Sequence, residues 1–226
     1  MIRNIIITLM SLASISAYAV EFSSKDFQNA KNAGYDAAMA YVDSITSVPE
    51  DFPQSVEALK ADTTINLMAG AVHWGKTREE ADILFEQAVI LFNQKKDIMA
   101  PKPAMETALR LKQYTFAAQK FAELNSKLNA GESIGIALIL YKNRAITKDT
   151  CIDYLIAASE KNVAEHQLLG LTKAIKMLPK RDLSGAAFMT MEQKRTFYGN
   201  FLNLVEPTKA SAELLGICKT EYQLVK

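Results

Sequence analysis

The sequence predicts an all-α protein: an antiparallel helical bundle or a short helical-repeat array of about seven to nine helices, following a cleaved leader. Three observations predict it. Apolar residues recur at three- and four-residue spacing along most of the chain. Ala, Leu, Lys, Glu and Gln are plentiful, whereas nine Gly and six Pro are few for a β-rich chain of 226 residues. Val, Ile and Thr are scattered rather than alternating, and no Asn-Gly or Asp-Gly pair offers a hairpin turn.

The leader comes first. Met1-Ile2-Arg3 gives a positive start, the run from Ile5 to Ala17 carries no charge, and Ala17-Tyr18-Ala19 supplies the small-x-small pattern that a signal peptidase reads. The expected cut follows Ala19, giving residues 1–19 as signal peptide and 20–226 as one all-helical domain. An apolar run of about thirteen residues is short of the roughly 20 that a spanning helix needs. The nearest later stretch, 130–141, is interrupted by Glu132, so no stable membrane insertion is expected after cleavage. The chain is thus expected in the periplasm or secreted.

The elements then follow in order. Ser24 is placed to cap a helix through Phe27, Ala30, Ala38, Val42 and Ile45, which Pro49 and Pro53 end. A second helix runs from Ser55 to Val72, with His73-Trp74-Gly75-Lys76 as its stop. Thr77-Arg78-Glu79-Glu80 is the strongest start signal, because the Thr hydroxyl and the Glu80 carboxylate can each satisfy the other residue's backbone amide. Pro101 and Pro103 precede a helix through Met105, Leu111, Phe116 and Leu124, which Asn129-Ala130-Gly131 closes. Helices are expected over 133–142, 148–160, 164–177, 192–205 and 208–224, with 180–190 a looser connection.

Within this series, Leu140-Tyr141-Lys142-Asn143, Asp149, Tyr154, Ala157-Ala158 and Leu169-Gly170 stand in a recognisable order. Over about 137–171 the chain resembles one unit of the Sel-one-like repeats, relatives of the tetratricopeptide repeats. The turn glycines of that family are replaced here, with Arg144 and Lys161 near their places. The resemblance implies a curved helical scaffold that binds other proteins.

Charge and chemistry narrow the function. Lys and Arg number 26 against 25 Asp and Glu, and loss of Arg3 with the leader makes the signs equal. A balanced surface gives no electrostatic case for nucleic acid. The clusters Lys95-Lys96, Lys180-Arg181 and Lys194-Arg195 are short and read as solvated faces. Neither His73 nor His166 has metal-ligand spacing, and no phosphate loop or nucleophile elbow is present, so no metal and no cofactor is expected. Glu132-Ser133 resembles the Glu-Ser start of lytic transglycosylases, which offers Glu132 as a general acid for cell-wall cleavage; in a first helical turn the same Glu serves the helix dipole. Cys151 and Cys218 either pair in an oxidising compartment, closing a loop of roughly 67 residues worth about 4 kcal/mol, or stay as core thiols. Trp74, Phe188 and Met189 are the candidate anchors of a binding surface; around the loose segment Met177, Phe188, Met189 and Met191 either form an adaptable contact or cover the core. The reading is therefore an exported protein that acts by binding another protein, as an adaptor or an inhibitor of the immunity type. The alternative is a glycosidase using Glu132.

Overall fold

Capping side chains set most of the helix starts. A computed structural model describes residues 20–224, so the expected leader lies outside the described residues. The Thr77 hydroxyl accepts from the Glu80 amide and the Glu80 carboxylate accepts from the Thr77 amide, as the sequence led us to expect. Ser55 and Thr147 cap in the same way, each accepting from the amide three residues on. The first helix is capped by Ser23 rather than Ser24.

Eleven α-helices occur among the described residues: α1 Ser24–Ala33, α2 Tyr35–Ser44, α3 Val56–Ala69, α4 Arg78–Lys95, α5 Pro101–Arg110, α6 Tyr114–Leu124, α7 Ala130–Lys142, α8 Lys148–Ser159, α9 Leu168–Lys176, α10 Met191–Leu204 and α11 Ala212–Gln223. The all-α expectation holds, but the count exceeds seven to nine, because two expected helices are each split. Gly34 at φ 117° separates α1 from α2, and Lys112 at φ 59° falls between α5 and α6. The expected absence of strands is also corrected. Val20–Glu21 (β1) and Ile45–Ser47 (β2) form a short parallel pair, tied further by the Val20 amide donating to Thr46 Oγ1 at 2.8 Å.

The chain divides into two compact units, Met1–Leu111 and Lys112–Lys226. In the first, α3 packs on α2, α4 and α5, and α1 packs on α2. Ala38, Val42 and Leu67 form a fully buried cluster there, covered by Phe27, Tyr35, Met39 and Trp74. In the second, α7 packs on α8 and α9, and α10 packs on α8 and α11. Its core holds Phe121, Ile134, Leu140, Ile152, Phe197 and Phe201, all essentially inaccessible.

Asn129 is the start of α7, not the close of the helix before it. Its side chain accepts from the Glu132 amide, and Glu132 accepts in return from the Asn129 amide. At the far end of α7, the Arg144 amide donates to Tyr141 O and the Ala145 amide to Leu140 O. These two bonds form a Schellman closure, which requires Arg144 to take a left-handed φ of 60°. Glycine is the usual residue at such a position.

Candidate functional site

Of the three candidate anchors, Trp74 belongs to the first unit and Phe188 and Met189 to the second. Phe188 and Met189 are buried, at 1% and 5% exposure, so their place as contact anchors is corrected and the other reading, that they cover the core, is the one the structure carries. Phe188 turns inward onto the Tyr141 ring, with centroids 5.2 Å apart. Trp74 is half-buried against the core cluster of the first unit. The exposed methionines beside the loose segment are Met177 and Met191.

Of the two readings of the cysteines, the structure carries the core thiols. Cys151 and Cys218 are free, buried thiols rather than a disulfide. The Cys151 thiol donates to the Ala137 carbonyl, and burial pushes both thiols up to about 12. Because the thiolate is the reactive form, neither should react with an aromatic disulfide reagent at pH 8 in the folded protein. Both should react once the chain is denatured, and absorbance of the released thiolate counts them. One thiol reacting rapidly without denaturant would contradict this placement.

Glu132 closes its capping box on α7, the structural role open to it from the start. His166 lies across a small surface recess from it, with Gln167 and Gly170. Lys161, near the place of a turn glycine in the repeat resemblance, instead bridges with its ammonium. It donates to the carbonyls of Asn125 and Leu128 and to Ser133 Oγ, and desolvation lowers its pKa. Among the described residues no group of three His, Cys, Asp or Glu is placed to hold a metal, and no helix is long and apolar enough to cross a membrane.

The feature that does gather surface apolar groups lies in the second unit, between α7 and the segment after α9. It is a groove of about 760 Å³. Ile139 from α7, Met177 from the end of α9 and Leu183 from the loose segment line it, and all three are exposed large hydrophobics, Met177 and Leu183 at 59% and 60%. Tyr141 lies at its base, and Lys142 and Arg181 edge it. Among the described residues that line it, none is acidic.

The loose segment holds its shape through one carboxylate. Asp182 Oδ1 accepts from the Ser184 amide, the Ser184 hydroxyl and the Ala186 amide, while Oδ2 accepts from Lys148 Nζ at 2.8 Å. Lys148 also reaches the Ala187 carbonyl. The ion pair with Lys148, then the Ser184 hydroxyl, hold the Asp182 carboxyl well below the usual carboxylate range. Gly185 takes φ 90° at the tip, and Arg181 and Ala187 pair across the base as an antiparallel bridge. The Leu183 amide donates to the Tyr141 hydroxyl, which fixes the Leu183 side of the groove. A second hollow of about 820 Å³, which shares Tyr141 and Leu183, opens on the Lys148 side.

Sequence reasoning singled out Met177 but missed Ile139 and Leu183. A signal for Ile139 was present: α7 is apolar nearly all round, more than one buried stripe requires. Compared with known proteins, the chain matches no family model, no curated protein and no solved structure. The fold therefore defines a class only: a helical protein with a preformed apolar groove edged by cations.

Proposed function

We propose that this is an exported helical protein that works by binding another protein, as an adaptor or an inhibitor, through the groove between α7 and the 177–183 segment. One observation carries the reading: three exposed apolar side chains converge on one groove whose charged lining, among the described residues, is Lys142 and Arg181. Such a surface suits an amphipathic helix that lays apolar residues into the groove and acidic residues along its edge. Met177 adds an adaptable contact. Export rests on the pattern of residues 1–19, and the helical-repeat reading on the resemblance over 137–171. The stacking order, with α9 on α7 and α10 on α8, supports the repeat reading. No observation favours the glycosidase alternative, since the Glu132 carboxylate is engaged at its helix start.

The test pairs Met177→Glu with Leu183→Glu. Both side chains are exposed, so unfolding should shift by no more than about 0.5 kcal/mol. A partner crosslinked in the periplasmic extract and identified by mass spectrometry should bind the double variant at least tenfold more weakly, a loss of about 1.4 kcal/mol or more. Undiminished affinity would remove the groove from the interface. Recovering the protein from the cytosol with Met1 intact would remove the export reading.

A further inference from the structure

The first unit contains a cleft that the binding groove does not use. It encloses about 420 Å³ between α1, α3, the turn that follows α3, and the end of α5. Phe27, Leu67 and Trp74 make its apolar walls, while Lys31, Asp62 and Arg110 bring charge into it. Thr63, Asn66 and His73 also line it, so apolar walls meet converging polar groups, as at a small-molecule site.

Asp62 is the central group. Its Oδ1 is fixed by two donors, Thr107 Oγ1 at 2.8 Å and Asn66 Nδ2 at 2.9 Å. Its Oδ2 makes no hydrogen bond among the described residues, yet it is not among the sealed polar atoms that lack a partner, so it is open to the cleft. Burial raises the Asp62 carboxyl above its ordinary value, opposed by its two hydrogen bonds and by the Arg110 guanidinium. The carboxylate is thus held rigid, half-desolvated and short of one partner. The Trp74 indole N–H is in a similar position. It makes no hydrogen bond among the described residues, is likewise not sealed, and lies beside Gly70, at the cleft wall. Lys31 sits 5.3 Å from the centre of the Phe27 ring. Neither Lys31 nor Arg110 has a carboxylate within salt-bridge distance among the described residues.

The charges select the ligand. A simple anion would meet Asp62 Oδ2, and a simple cation would meet Lys31 and Arg110. A neutral apolar molecule would cover the carboxylate without pairing it, at a desolvation cost of about 1–3 kcal/mol. A molecule carrying both charges a few ångströms apart can pair with Asp62 and with a cation of the cleft at once. We infer that the cleft binds a free α-amino acid with an apolar side chain: its ammonium on Asp62 Oδ2, its carboxylate toward Arg110 and the Trp74 N–H, and its side chain against Phe27 and Leu67. This site is independent of the groove in the second unit, and its failure would leave that reading standing.

The experiment is calorimetric titration of the full chain with L-leucine and L-phenylalanine, beside 4-methylpentanoate, which lacks the ammonium, and leucinamide, which lacks the carboxylate. Saturable binding of at least one amino acid is expected, with each analogue of leucine roughly tenfold weaker or worse. Asp62→Asn keeps an oxygen for Thr107 and Asn66 and removes the charge. A group whose folded pKa is raised contributes stability below its unfolded pKa and loses it as pH rises through the folded value. The variant should therefore be at least as stable as the parent at pH 7. It should lose amino-acid affinity roughly tenfold, while 4-methylpentanoate, relieved of the Asp62 charge, binds at least as well as to the parent. Arg110→Gln, at an exposed position, should weaken the amino acid and 4-methylpentanoate alike and spare leucinamide. No saturable heat with either amino acid up to about 10 mM, equal binding of the analogues, or undiminished affinity in Asp62→Asn would each overturn the assignment.

Discussion

Phe188→Ala is expected to cost about 3–5 kcal/mol of stability. The ring is 1% exposed and sits 5.2 Å from Tyr141, tilted at 46°. It is the apolar foot of a segment otherwise fixed by polar bonds: Asp182 to Lys148, the Leu183 amide to Tyr141, and the Phe188 amide to the Lys180 carbonyl. Remove the ring, and the segment keeps these bonds with water competing for each. The expected signature has two parts. The denaturation midpoint should fall with the slope unchanged, and the Leu183 amide should exchange with solvent faster than amides in α10. A loss below about 1 kcal/mol would mean that the polar bonds alone hold the segment. Because Arg181 and Leu183 line the groove, the same substitution should weaken partner binding by disordering one wall. Leu183→Glu instead leaves the wall in place and changes its chemistry.

The inward turn of Phe188 also shows where sequence reading reaches its limit. An aromatic between methionines in a segment without helical period looks alike whether it is exposed or acts as the segment's anchor. Only the position of Tyr141, 47 residues earlier in the chain, decides. Local signals fared better. The Thr77 and Glu80 pairing and the break at Pro49–Pro53 are written in adjacent residues and were legible, whereas α3 stops at Ala69, short of the expected Val72, and a single 3-10 turn runs on to Gly75, which takes φ 80°. Asn129 was read as the close of a helix because Asn and Gly commonly end one; the Glu three residues on was the competing start signal, and it won. The break at Lys112 had no visible cue, since a left-handed φ at a lysine is imposed by surroundings and not by the residue. The same holds for the candidate site. Met177 was visible as an apolar residue flanking a loose segment, but its exposure and its convergence with Ile139 and Leu183 depend on α7 and α9 lying side by side. The free cysteines follow the same rule: each is buried in its own helix, and compartment chemistry says nothing about whether the two meet.

How closely α7 and α9 approach leads to the second large effect. A Cβ built on Gly131 would lie 2.9 Å from the Leu171 amide nitrogen and 3.1 Å from both the Gly170 carbonyl carbon and Leu171 Cα. All three are backbone atoms, so no rotamer change relieves the contact and a whole helix must shift. Gly131→Ala is therefore expected to destabilise by about 1–3 kcal/mol, the usual range for forcing volume into a packed interior. That loss exceeds the gain of up to about 1 kcal/mol that alanine brings to a helix, smaller still in a first turn. The control lies one turn on in α7. Gly135 has nothing within 4 Å of its would-be Cβ, so Gly135→Ala should realise the helix gain and raise stability by about 0.5–1 kcal/mol. Equilibrium denaturation of the two single variants should then give opposite signs for one chemical change in one helix. Two stabilising results would mean that α9 moves aside freely, and the close crossing would then not be what fixes the far wall of the groove where Met177 stands.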